Sequence, residues 1–400
     1  MVFPRVPWYS LVFLVYGCAT APAPIVQLPP PPPPPIASYP ALNRIAENEM
    51  PSFSDDADTT SLHAAARASA AYFRTLPANQ MFSLAADTYT AQDLALSMDY
   101  LAVLLENSTH RAQWLSRIRS DFALYQSVGV DPHHTVTFSS YYEPTIQGRL
   151  MPDPVYRYPM YSRPSDLVKV DLGLFDPRWQ GSRLSGRVQN QSLVPYSTRG
   201  EIDSDGILKG QGLEIAWAKD PLDIFFLQIE GSGWLDMGHG KTVRIRYDAD
   251  NGRPYRSVGQ YLIASGRVRP KGFDHNALVR YMKRHPRERQ ELLNVDARYV
   301  FFQTDTSTTS VYAYGNISQP LTAGRSIATD PKFFPKGLLA WINLAPTRRF
   351  VLNQDEGGAI QGPGRVDFFA GHGRKAEQLA THFWYPGELY FLVKKRPEVR

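Results

Sequence analysis

Carboxylates are the residues in this chain with chemistry to offer. Asp355 and Asp367 stand at the two ends of a glycine-rich connection within Gln354–Gly371. The residues before and after it, Arg349 to Asn353 and Arg365 to Phe369, read as strands. Glycines at 357, 358, 362 and 364 allow turns and close approaches that a Cβ resists. Strand alternation puts Val366 and Phe368 on one face and Arg365, Asp367 and Phe369 on the other. A carboxyl flanked by aromatics is desolvated, which raises its pKa and suits it to general-acid work. Asp330, between Gly324 and Gly337, and Glu143, after two tyrosines, are further acids of interest. Gln228 to Gly233 reads as an apolar strand ending on small residues, where a polymer can approach the backbone. Acids, amides, tyrosines and glycines together suit a glycan site. Hydrolysis of a glycosidic bond normally takes two carboxylates. Cleavage by the sugar's own hydroxyl needs only one, acting first as acid and then as base.

Other chemistries lack their signatures. His133 and His134 are adjacent and point to opposite faces of a strand, with no Cys or further His at metal-ligand spacing. Gly231-Ser232-Gly233 is too short for a nucleophile elbow, and no glycine-rich run ends in Gly-Lys-Ser or Gly-Lys-Thr. No metal or cofactor is implied.

The elements that must position these acids come from a chain of ordinary globular composition, 43% hydrophobic and 20% charged. Its net charge of +5 favours anionic partners. The basic residues form no run of five, which argues against nucleic acid. Ser61 to Leu76 and a longer stretch from Thr90 to about Tyr125, broken near Asn107, have helical periodicity. From Thr135 onward the pattern is of short strands, among them Leu213 to Ala218, Ile224 to Glu230, Thr242 to Tyr247 and Tyr299 to Gln303. Helical patches interrupt it at Asn276 to Arg284, Arg287 to Leu293 and Lys375 to Thr381, and a last strand runs from Glu388 to Val393. At the N-terminus, the apolar run Trp8 to Tyr16 is too short to span a bilayer and reads as a signal peptide. The single cysteine, Cys18, follows it, and an Ala- and Pro-rich stretch with Pro29 to Pro35 unbroken makes an extended tether. One cysteine leaves no disulfide.

Five motifs, in order, resemble the membrane-bound lytic transglycosylase A family. They are Tyr-Tyr-Glu-Pro (141–144), Pro-Tyr-Ser-Thr-Arg-Gly-Glu-Ile (195–202), Phe-Phe-Leu-Gln-Ile-Glu-Gly-Ser-Gly (225–233), Tyr-Val-Phe-Phe (299–302) and the terminal Gln-Asp-Glu-Gly-Gly-Ala-Ile with Gly-Arg-Val-Asp. The segment holding Asp330, Asp355 and Asp367 is similar to that family's three-aspartate domain, and Val15-Tyr16-Gly17-Cys18 resembles a lipobox. The resemblance implies a mainly β protein with N-terminal helices: a double-psi β-barrel catalytic domain plus an inserted β-rich second domain. Residues 1–17 would be signal peptide, 18–58 lipidated Cys18 and tether, 59–145 helical scaffold and first part of the catalytic domain. Residues 146–302 would be the insertion and 303–400 the second catalytic part.

The implied activity is cleavage of the β-1,4 bond between N-acetylmuramic acid and N-acetylglucosamine in peptidoglycan, leaving 1,6-anhydromuramic ends. Asp367 would be the acid/base, with Asp355 tuning it and Asp330 in support. Tyr142, Glu143, Tyr196, Arg199, Gln228, Gly231, Ser232 and Gly233 are the expected substrate contacts. Trp234 adds a stacking platform or a packing residue. Peptidoglycan strands are the expected partner, with a membrane held through lipid on Cys18, and cell-wall synthesis or division proteins as candidate partners at the periplasmic face of the outer membrane. Two other readings use the same residues: an inverting hydrolase with Asp355 or Glu143 as base, and a non-catalytic, expansin-like wall binder.

Overall fold

The computed structural model describes residues 37–39, 41–179, 182–305, 312–345 and 347–396. Cys18, the signal peptide and the Pro29–Pro35 run lie outside them. Two N-terminal helices form where their caps predict. Thr59–Thr75 starts at Asp58, whose carboxylate accepts the Ser61 N–H at 2.7 Å. It buries Leu62, Ala65, Ala66, Ser69, Ala70 and Phe73, a stripe at helical spacing. Ala91–Asn107 opens on a reciprocal capping box between Thr90 and Asp93. Among the described residues no helix is long and apolar enough to cross a membrane.

The helical reading overshoots after the third helix, Arg111–Asp121. Phe122–Ser127 is a strand with all six residues buried. A strand covered on both faces loses its alternation, so nothing in the local pattern separates it from helix. The tether also ends earlier than expected. Leu42–Ile45 pairs antiparallel with Phe122–Ser127, and Asp55 is buried against Arg325, so residues 41–58 belong to the packed fold.

The larger sheet has eight strands in the order Leu339–Leu344, Arg348–Asp355, Ser326–Ala328, Arg365–His372, Val136–Glu143, Tyr385–Lys394, Phe122–Ser127, Leu42–Ile45. Leu339–Leu344 pairs additionally with Tyr385–Lys394, which closes the first six strands into a ring. Phe138, Ile327, Trp341, Val366, Phe368 and Phe391 fill the core beneath it.

Between Glu143 and Ser326 the chain leaves this sheet and builds another. Six strands, Val300–Asp305, Thr242–Asp250, Ser232–Asp236, Thr145–Arg149, Glu214–Ala218 and Tyr158–Tyr161, lie in that order. They have their own core of Ile146, Met160, Ala216, Leu227, Leu235, Ile245 and Phe302.

One expected strand in this region is a helix. Pro221–Glu230 has Asp220 at its N-cap, Pro221 in its first turn and Gly231 at φ 84° as its C-cap. Its buried residues, Leu222, Ile224, Phe225, Leu227 and Gln228, cover so much of its circumference that its sequence is nearly continuous apolar. It packs against helices Val258–Ala264, His275–Arg284 and Arg289–Asn294 around Leu222, Phe225, Met282 and Leu292.

Candidate active site

Asp367 sits mid-strand in Arg365–His372, paired in parallel register with Ser139 of Val136–Glu143. Ser139 Oγ donates to Asp367 Oδ1 at 2.7 Å, and Arg365 Nη2 donates to Ser139 Oγ at 2.9 Å. The Arg365 guanidinium lies 4.6 Å over the exposed ring of Trp384. Burial pushes the Asp367 carboxyl up to about 6, against the opposing pull of the Ser139 hydrogen bond and the Arg365 charge. The negative charge of Asp355 adds to the rise. Val366 and Phe368 point into the core, as alternation requires. Phe369 is buried as well, in a small cluster with Ala313 and Leu321, its ring 5.1 Å from that of Tyr141.

Ala328 lies between the two aspartates, pairing with Asp367 on one side and Asp355 on the other. Their Cα atoms are therefore about 10 Å apart, two strand spacings. Asp355 is occupied by its own surroundings. Oδ2 accepts the Tyr141 hydroxyl at 2.7 Å, and Oδ1 accepts the N–H groups of Asn316 and Glu356, each at 3.0 Å. Burial raises its pKa, while these donors and the Lys336 charge hold it down. Buried Lys336 donates to the Asp355 and Thr329 carbonyls, the latter at 2.6 Å. Asp330 is buried too, and accepts the N–H groups of Gly362 (2.8 Å) and Lys332 (3.0 Å). It thereby fastens the glycine-rich connection between the two aspartate strands.

Several expected contacts lie elsewhere. Glu143 is 1% exposed, held through both oxygens by Arg244 (3.0 and 3.1 Å) and by the Ala313 N–H (3.2 Å). Tyr196, Arg199 and Gln228, expected on a groove wall, are each 2% exposed. Arg199 donates to Gln228 and to the carbonyls of Asp296 (3.0 Å) and Arg298 (2.6 Å). Gln228 in turn donates to the Val300 carbonyl at 3.1 Å, and the Tyr196 hydroxyl to Asp166 at 2.8 Å. Their polar groups are consumed inside the second sheet, where buried donors must find acceptors.

The Gly-Ser-Gly run has an internal explanation also. Gly231 caps the helix, and Ser232 pairs with Arg246 in a strand. A Cβ on Gly233 would meet the Pro144 carbonyl oxygen at 2.5 Å, so the close neighbour is this chain. Trp234 packs against the Arg244 guanidinium (5.1 Å) and edge-on to His372 (6.2 Å).

Tyr142 lies beside a different acid, Glu230. It is half-buried, and its N–H donates to Glu230 Oε2 at 3.2 Å. Glu230 is one of the residues missed in the sequence, along with Ser139, Tyr141 and Arg365. Burial and the facing charge of Asp367 push its carboxyl up to about 8. Ser139 and Tyr141 share a strand face by alternation, and Arg365 shares one with Asp367, so that much was readable. Which strand faces which was not.

Residues 137–303 match the MltA specific insert domain and residues 325–393 the 3D domain. The chain is 27% identical over 277 residues to a membrane-bound lytic murein transglycosylase A of Vibrio cholerae, a stretch covering 66% of this chain and 67% of that protein. The crystal structure of a membrane-bound lytic murein transglycosylase from Agrobacterium tumefaciens matches with TM-score 0.73 at 26% identity, over 88% of this chain and 98% of that one. MltA from Neisseria gonorrhoeae in its monoclinic form matches with TM-score 0.67 at 25% identity, over 92% and 100%. Two domain matches in sequence order, a curated relative and two solved structures agree, and the chain belongs to the membrane-bound lytic murein transglycosylase A family.

Proposed function

We propose that this protein is a peptidoglycan lytic transglycosylase with Asp367 as its single acid/base. The observation that carries the mechanism is the contrast between the two aspartates. Asp367 accepts one side-chain hydrogen bond, from Ser139 on Oδ1, and burial raises its pKa to about 6, so it can hold a proton or release it close to neutral pH. Asp355 has three donors on its two oxygens, which leaves it little capacity to serve as a base or nucleophile.

In this reading Asp367 gives its proton to the glycosidic oxygen between N-acetylmuramic acid and N-acetylglucosamine as the C1–O bond breaks. The resulting carboxylate takes the proton of the C6 hydroxyl as that oxygen bonds to C1. The product carries a 1,6-anhydro ring, no water is consumed, and Asp367 ends protonated, as it began. Tyr141 and Lys336 hold Asp355 in place, and burial, with the negative charge of Asp355 adding to it, raises the Asp367 pKa and so favours the protonated form for the first step. Asp330 holds the glycine-rich connection beside it. The curated relatives named for murein cleavage support this substrate.

The same reading takes the closed ring of six strands as a double-psi β-barrel and the 145–305 sheet as its inserted domain. It places the protein in the cell envelope, facing the periplasm and tied to the outer membrane by lipid on Cys18. The test is digestion of purified peptidoglycan followed by mass analysis of the muropeptides. Anhydro ends, lighter by one water than reducing ends, are expected. Reducing ends would replace this reading with an inverting hydrolase, and no soluble product would leave a wall-binding module.

A further inference from the structure

Glu230 occupies an unusual position for an acid. It is the last residue of the Pro221–Glu230 helix, where the negative end of the helix dipole disfavours another negative charge. The charged and titratable groups around it are Asp367 from the strand Arg365–His372, Tyr142 from Val136–Glu143, and Tyr255. Asp274 and His275 lie farther along the same cleft, and Glu377 of the helix Arg374–His382 acts on Tyr142 and His275. Among the described residues no cation forms an ion pair with Glu230. One of its oxygens accepts the Tyr142 N–H, which leaves the other to carry a proton.

The cleft that Glu230 lines has a volume of about 250 Å³, with Phe226, Tyr255, Ile263, Phe273 and His275 among its walls. Phe226 packs against the His275 ring at 4.3 Å, and burial pushes the His275 pKa down, so that ring is neutral above its lowered value. The walls are thus apolar and aromatic, with a small number of polar groups converging on them, as in ligand pockets generally. Apolar and aromatic walls that also carry Glu230, Tyr255, Ser257 and Gln260 suit a group that pairs a methyl with a hydrogen-bonding carbonyl.

We infer that Glu230 is a further substrate-holding residue, donating a hydrogen bond from its carboxyl O–H to the acetamido carbonyl of an N-acetylated sugar seated in this cleft. The inference rests on the glycan reading above and adds to it a recognised group. Because the Glu230 carboxyl titrates near 8, it is protonated at neutral pH and loses its donor as pH rises past that value. A deacetylated sugar, which presents an ammonium in place of the amide, offers this donor no acceptor.

The test compares wild type, Glu230→Ala and Glu230→Gln as full chains on N-acetylated and N-deacetylated glycan strands. On acetylated strands Glu230→Ala should raise KM about tenfold, the worth of one neutral hydrogen bond. Glu230→Gln, which keeps a donor, should regain most of that loss and abolish the weakening of oligomer binding near pH 8, a change separate from the fall in rate that Asp367 sets near 6. On deacetylated strands Glu230→Ala should cost less than about twofold. Gln and Ala variants equally impaired, with oligomer binding to wild type tightening through pH 8, would show that the ionised carboxylate is required and overturn the inference. Binding separates this result from a failure of the transglycosylase reading. An N-acetylglucosamine oligomer should bind the Asp367→Asn variant about tenfold more tightly than the Asp367→Asn, Glu230→Ala double variant. That difference would uphold the subsite even if the products carried reducing ends. Equal affinities alongside normal anhydro products would remove the subsite alone.

Discussion

Ser139 and Asp367 face each other in a parallel strand pair although 228 residues separate them, and the Ser139 hydroxyl donates to the Asp367 carboxylate at 2.7 Å. That bond favours the ionised form, which burial disfavours. Ser139→Ala removes the stabilising donor, so the Asp367 pKa should rise further above about 6. The proposed first step needs the protonated acid, and the alkaline limb of kcat should move to higher pH by about 0.5–1 unit. A pH–rate profile of the variant checks this; an unmoved limb would mean that Ser139 does not tune the acid.

The unequal surroundings of the two aspartates predict unequal kinetics. Asp367→Asn should lower kcat by on the order of 10²–10⁴, the usual worth of a positioned acid/base. Asp355→Asn should cost less in kcat, and should lower the melting temperature as well, because an amide cannot match its three donors on two acceptor oxygens. Steady-state rates and melting curves on the same preparations check both. Loss of equal size in the two variants, without instability, would favour a two-carboxylate hydrolase.

Asp367 should also cost the fold stability. Its carboxyl is raised from an ordinary 3.8 to about 6, so the folded state resists ionisation. The cost is absent below pH 3.8, accrues between 3.8 and about 6, and is constant above, at roughly 3 kcal/mol. Asp367→Asn should therefore be more stable than wild type at pH 7 and little different at pH 4, as urea unfolding at both values would show. A variant no more stable at pH 7 would contradict the raised pKa.

The Asp55–Arg325 pair should be the costliest ion pair to break singly. Both side chains are fully buried, joined at 2.7 and 2.8 Å, and Arg325 also donates to the Phe350 and Asp58 carbonyls. Asp55→Ala leaves the guanidinium buried without its counter-charge and should destabilise by roughly 3–5 kcal/mol. Chemical unfolding measures it, and a loss under 1 kcal/mol would show that water or another acid replaces Asp55.

Lipidation of Cys18 predicts a simple fractionation result. Wild type should take up labelled fatty acid and sediment with membranes, and Cys18→Ser should do neither. Label retained by Cys18→Ser would rule out that anchor.

Local rules carried the reading of this chain wherever the determinant was local. The Asp367 strand, its alternation and the capped helix after Thr90 follow from period-two patterning and a four-residue cap. Pro221–Glu230 was misread because burial on nearly every side erases periodicity, although Asp220, Pro221 and Gly231 marked both of its ends. Arg199 and Gln228 were misread because a polar residue that satisfies buried carbonyls and one that grips a ligand look the same in sequence. Ser139 could not be assigned to Asp367, since strand register is settled by packing across the fold.

The six-strand ring has a consequence for how the protein is made. The strand bearing Asp367 inserts beside Val136–Glu143, which leaves the ribosome far earlier, and the ring closes only through Tyr385–Lys394. The early strand Val136–Glu143 must wait, lacking both of its partners, while the second sheet is synthesised. A product that stops before Tyr385 lacks the closure, so the proposed wall-cutting ability cannot precede that strand.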